Sequence, residues 1–376
     1  MADLPFAGIP LLDHHAHAFL RRQPEDAEGF RACFTEGDLP EIVRHHVPHT
    51  LFYRRAVRDL AHFFGCAPTE AAVLAARAAM PFEHRARALV ADAGLAAVLL
   101  DLGYRPEASL TLEEMRGLLP LPLRPILRVE TVAERLLPDA PDWPALEDAF
   151  VAALHQAADE VVAFKSIIAY RSGLQVRSWP ADARDAALAE TRAAFAAGRR
   201  RLVAQPVLDT LFLRTLAVAA ERRLPVQVHT GFGDRDLDLR LANPLHLRPV
   251  LEDARFAQVP LVLLHAHPYV AEAAWLAAVY PQVYLDLSLT VPLLAHRAAP
   301  AIAEALGLAP ASKVLLATDA FSIPELYWVA ARHLRQALAR ALEEAAQAGF
   351  LAEDREEVAR LLLHDNAARV YRVGRE

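Results

Sequence analysis

Several histidines, one aspartate and one lysine stand where they could hold a metal ion or move a proton. The segment LLDHHAHAF places His15 and His17 two positions apart. Side chains alternate along a strand, so Asp13, His15 and His17 share one face while His14 points the other way. Two imidazoles at that spacing can reach one ion. PVQVHTG closes an apolar run on His229, and Gly231 just after it permits a tight backbone turn. LVLLHAH offers His265 and His267. His265 is the better candidate, because it ends the apolar run directly while His267 precedes Pro268. VLLATDA ends on Asp319, a carboxylate whose burial alone is costly and is offset by a cation. Each residue taken singly also reads as an ordinary core or surface side chain. Taken together, they point to a metal.

Lysine is scarce. Of 40 basic residues only Lys165 and Lys313 are lysines, so a lysine kept at the end of VVAFK suggests amine chemistry that a guanidinium cannot do. In AYRSGL, Tyr170 and Arg171 follow that run as candidate substrate contacts, Arg171 through a two-point contact with a carboxylate. Asp101 and Glu130 are candidate hydrogen-bond partners for the ligand histidines. His45, His46 and His49 in HHVPH read as surface or helix-packing residues. The charged, glycine-punctuated GFGDRDLDLR could shape the substrate site or simply be solvated.

Eight short apolar runs position these residues: Pro10–His15, Ala96–Asp101, Leu123–Glu130, Val161–Ile167, Pro225–His229, Pro260–His265, Val283–Ser288 and Val314–Asp319. Such runs are the pattern of parallel strands buried on both faces. Helical stretches alternate with them, among them Trp143–Ala158, Ala181–Ala197, Val207–Arg222, Pro268–Val279 and Leu293–Leu306. The alternation predicts a (β/α)8 TIM barrel, whose active site forms at the C-terminal strand ends. Those ends carry His15, Asp101, Glu130, Lys165, His229, His265, Ser288 and Asp319. A helical insertion over about residues 20–92, with helices in Asp38–Phe64 and Thr69–Asp92, and a helical tail from Glu325 to Tyr371 depart from a minimal barrel. No repeat or linker marks a second domain, so residues 1–376 read as one.

Composition narrows the class. The chain is 54% hydrophobic with 23% charged residues and a net charge of -7, which supports a large core and gives no sign of a nucleic-acid partner. Cys33 and Cys66 are too few for a disulfide framework or a thiolate cluster. MADLPFAGIP lacks the basic and apolar regions of a secretory signal, and no apolar run approaches the roughly 20 residues that cross a bilayer. The expectation is a soluble, cytoplasmic protein acting on a small molecule, able to form a homo-oligomer.

The order His-x-His on strand one, Lys on four, His on five, His on six and Asp on eight resembles the amidohydrolase superfamily. HDNAARVYRV (His364 to Val373) is similar to the C-terminal helix common there. FKSIIAYRSGL and TLFYRRAVRDLAHFFGC resemble one branch, which includes the region fused to glutamine synthetase-like domains in fungal and plant proteins. The resemblance implies that His15, His17 and Asp319 bind the more buried metal. His229 and His265 then either bind a second ion or split into one ligand and one catalytic residue. In two-metal members the lysine at the Lys165 position is carbamylated and bridges both ions, which requires a neutral amine such as burial favours. The other reading of Lys165 is a plain cation for an acidic substrate.

The function so implied is hydrolysis of a C–N, amide-type bond in a small carboxylate-bearing molecule, with a divalent ion, Zn²⁺ by ligand chemistry, activating water. Asp319 serves as general base and then acid, and His265 is the second catalytic candidate. Two ions are expected if Lys165 is carbamylated and one if it is not. The alternatives are a one-metal decarboxylase or uronate-isomerase-like enzyme, and a non-catalytic binding module.

Overall fold

The computed structural model describes residues 4–374. Runs rich in Val, Leu, Ile and Ala can bury both faces, and each of the eight predicted runs forms a strand. They are β1 (Leu11–Ala16), β2 (Leu95–Asp101), β3 (Leu123–Arg128), β4 (Ala163–Ser166), β5 (Val226–His229), β6 (Leu261–Leu264), β7 (Val283–Asp286) and β8 (Val314–Leu315). Their sheet order is β1 to β8 in sequence, with parallel registers such as Phe164↔Val226 and Val226↔Leu261. Helices alternate with the strands. The fold is a (β/α)8 TIM barrel.

Several strands stop short of the predicted ends. Glu130 does not end β3 but lies in the first turn of helix Val129–Leu136, where a carboxylate favours the positive end of the helix dipole. β7 ends at Asp286, two residues before Ser288. β8 keeps only two residues, and Asp319 follows in irregular backbone. The stretch predicted as one helix, Leu293–Leu306, is interrupted at Ala295, whose φ is 49°, and resumes as Ala298–Leu306.

The described residues fall into two compact units. The first runs to Arg124 and adds Gly233–Arg235 and Leu287–Arg369; the second holds Pro125–Phe232, Asp236–Asp286 and the residues from Val370.

In the first unit the predicted insertion is helical, with helices Ala27–Ala32, Leu51–Phe64, Glu70–Ala79 and Phe82–Asp92. The Thr50 side chain accepts from Tyr53 N–H and starts the second of these, so the predicted Asp38–Phe64 stretch breaks there. The insertion is fastened to the tail helix Pro324–Gln347 by a buried ionic cluster. Arg77 Nε and Arg85 Nε lie 2.7 and 2.8 Å from Glu325 Oε1, which has no exposed side-chain surface. In the second unit Phe150, Phe164 and Phe212 fill the core between helices and strands.

Candidate metal centre

In the first unit the end of β1 and the segment after β8 run side by side. Asp319 N–H donates to the His15 carbonyl at 2.9 Å, and His17 N–H donates to the Ala320 carbonyl at 2.8 Å. This backbone ladder sets the spacing of the three side chains. His15 Nε2 and His17 Nε2 each lie 3.1 Å from Asp319 Oδ1. Among the described residues, His15, His17 and Asp319 form a group whose possible ligand atoms all lie within 4.8 Å of one another, and all three are buried. Asp319 takes φ 50°, a left-handed conformation that a short polar side chain tolerates better than most.

The donor chemistry fits a cation. His17 Nδ1 is 3.1 Å from the Asp101 carbonyl. A carbonyl only accepts, so Nδ1 carries the proton and Nε2 offers its lone pair toward Asp319. The supporting role expected of Asp101 is therefore played by its backbone, while its carboxylate accepts from Gly103 N–H at 2.9 Å. Tyr327 OH donates to the His17 carbonyl at 2.5 Å and steadies the same residue. Two imidazole nitrogens and a carboxylate oxygen turned toward one point are all served at once by a divalent ion.

Asp13 is committed elsewhere. Its carboxylate accepts from Thr318 N–H at 2.9 Å and from Thr318 Oγ1–H at 2.6 Å. Burial pushes it up to about 7, although the Thr318 bonds pull the other way.

Sequence reasoning missed two residues beside the triad. The Tyr104 ring lies 5.1 Å from the His17 ring. Its place three residues past β2, in a loop on the active-site side of the fold, was the available signal. Glu36, from an irregular part of the insertion, lines a small cavity with Asp319, Phe34, Phe52 and Phe321. Burial first, then the nearby Asp319 and Asp234 carboxylates, pushes Glu36 up to about 8. Nothing local in the sequence marked it.

The second unit carries the remaining expected residues. The His229 ring lies 4.5 Å from Tyr170 and 4.6 Å from His265. His229 Nε2–H donates to the Phe232 carbonyl at 3.2 Å. His265 follows β6 at φ 69°, and its N–H donates to Asp286 Oδ2 at 3.3 Å. Gly231 takes φ 72°, and a Cβ there would sit 2.3 Å from the His267 carbonyl oxygen, so the turn after His229 needs glycine. Lys165 lies within β4, only 1% exposed, in register with Arg128 and Gln227.

Glu130 braces the end of β4, accepting from Ser166 Oγ–H at 2.6 Å and Ile167 N–H at 3.0 Å. Tyr170 stands at the histidine pair, whereas Arg171 is held 3.2 Å from Glu134 in a largely buried ion pair. His45, His46 and His49 are exposed, as expected.

The sequence model described as amidohydrolase matches residues 130–373. Protein fluG of Emericella nidulans is 33% identical over 249 residues, covering 62% of this chain but 28% of fluG; the match thus spans under a third of that relative. A crystal structure of a protein described as a metal-dependent hydrolase from Lactobacillus casei superposes with TM-score 0.87 at 30% identity, covering 97% of this chain and 95% of the other. A uronate isomerase from Thermotoga maritima superposes with TM-score 0.68 at 11% identity, covering 97% and 95%; at that identity the likeness is one of fold. No described helix is long and apolar enough to cross a membrane.

Proposed function

The chain belongs to the amidohydrolase family, and from that premise we propose that it is a metal-dependent hydrolase cleaving a C–N, amide-type bond of a small carboxylate-bearing molecule. The observation that carries the reading is the buried convergence of His15, His17 and Asp319. These three residues would hold a divalent ion, zinc by the imidazole and carboxylate character of the set, which would supply Lewis-acid polarisation of a carbonyl and lower the pKa of water. Asp319 accepts the proton from the attacking water and returns it to the leaving nitrogen. His17 would offer its Nε2 lone pair to such an ion, because the Asp101 carbonyl fixes its other nitrogen. Family order assigns His229, His265 and Lys165 to the same chemistry, with Lys165 carbamylated in a two-ion enzyme and His265 as the second catalytic residue.

One observation favours a second reading. His15, His17 and Asp319 make a three-ligand set for one ion without Lys165, which suits a one-ion decarboxylase or uronate-isomerase-like enzyme. Elemental analysis of protein purified without chelator and with bicarbonate, joined to intact mass, separates the two. Two ions per chain and a mass increase of one carbamate on Lys165 support hydrolysis, and amides are then screened. One ion and an unmodified lysine overturn the two-ion hydrolase and direct the screen to decarboxylation and sugar-acid isomerisation. Metal at background level removes both.

A further inference from the structure

Lined wholly by residues of the second unit, and by none of the triad, is a groove of about 440 Å³ between helices Ala181–Ala196 and Gln205–Arg222 and the turn Ala254–Phe256. That volume suits a small ligand. Its walls carry Trp179, Arg184, Thr210, Arg214, Arg255 and Phe256.

The charge balance is uneven. Arg214 is paired with Glu147, and Arg255 Nη2 lies 2.6 Å from Asp253 Oδ2. Glu221, the carboxylate of the groove, lies 3.4 Å from His155 Nε2. Arg184 has no carboxylate within ion-pairing distance among the described residues, and its Nε is buried without a hydrogen-bond partner. Its guanidinium instead lies 5.1 Å from the Trp143 ring centroid. It also stands near the start of a long helix, whose first turn carries Asp182.

The aromatic wall is fixed in place. Trp179 Nε1–H donates to Asp209 Oδ2 at 2.8 Å, Arg177 N–H donates to the same oxygen at 3.3 Å, and the Arg177 guanidinium lies 3.9 Å from the Trp179 ring centroid. A fixed indole, an uncompensated fork of N–H donors and the Thr210 hydroxyl form an arrangement complementary to a ring that bears a negative group.

We propose that this groove is a second ligand site, taking a small planar aromatic anion whose carboxylate or phosphate pairs with Arg184 and whose ring lies along Trp179. The test is isothermal titration calorimetry on the full chain with two probes, salicylate for an aromatic carboxylate and AMP for an aromatic phosphate. At least one is expected to bind with Kd below about 1 mM. Arg184→Gln should weaken it by about tenfold or more, Arg184→Lys by less, since charge is kept and the fork lost. Asp319→Asn should leave it unchanged, and inorganic phosphate at equal ionic strength should fail to compete.

Tighter binding of one probe identifies the anion class. Absence of binding by both probes up to about ten times that concentration overturns the proposal. So does binding that Arg184→Gln leaves intact while its circular dichroism matches wild type, and so does binding lost in Asp319→Asn.

Discussion

Asp319 combines two demands, since its oxygen must meet His15 and His17 while its backbone holds φ 50°. Asparagine shares the tolerance for that conformation but lacks the charge, so Asp319→Asn separates ligation from folding. The variant is expected to bind metal at least about tenfold more weakly, with a thermal midpoint like that of the metal-free wild type; metal retained at wild-type stoichiometry would remove Asp319 from the ligand set. Gly231 poses a purely steric demand. Gly231→Ala drives a Cβ against the His267 carbonyl and should cost roughly 2 kcal/mol or more in urea denaturation. An unchanged midpoint would show that the turn after His229 relaxes freely. Asp319 was legible because an apolar run led to it, and Gly231 because it follows the run that closes on His229. Tyr104 and Glu36 were not, because they come from irregular loops where no periodicity exists to interrupt. Arg171 was legible as a cation, but its commitment to Glu134 depends on a helix brought beside it by folding.

Most strands were readable as elements because both faces are buried, which leaves runs rich in Val, Leu and Ile; β3, where Arg124 is exposed, is buried less. Their ends were less readable, since the apolar pattern continues past the last paired residue. Val314–Asp319 is apolar through Ala317, yet pairing stops at Leu315 and the remainder aligns along β1. The insertion was readable as helical but not in its attachment. Arg77, Arg85 and Glu325 look like ordinary surface charges in sequence, and become a buried cluster only when the tail helix is in place. Glu325→Gln leaves two guanidiniums, each 5% exposed, without a counter-charge, and should destabilise by about 3–5 kcal/mol. Limited proteolysis should then cut first within residues 24–92. Cleavage spread evenly over the chain would mean that the cluster does not govern the insertion's attachment.

The whole molecule's stability carries a pH signature from Asp209, which is fully buried. Burial pushes its carboxyl up to about 6 from 3.8, despite the bonds from Trp179 and Arg177. A raised carboxylate pKa means that the folded state holds the proton longer. The contribution is fully present below about pH 4 and lost by about pH 6, roughly 3 kcal/mol in all. Asp209→Asn accepts the same donors without the charge. The variant should gain on wild type between those pH values and hold a constant lead above, measured as urea midpoints at fixed metal concentration. A difference independent of pH would sink the assignment. The same fold has a consequence in time. Thr318 meets Asp13 across 305 positions of sequence, and Asp319 follows directly. At roughly 5–20 residues per second, a ribosome needs about 15–60 s to travel that distance. For that interval the candidate triad has its two histidines, His15 and His17, but not Asp319. The candidate triad can therefore be assembled only late in synthesis, once Asp319 has emerged.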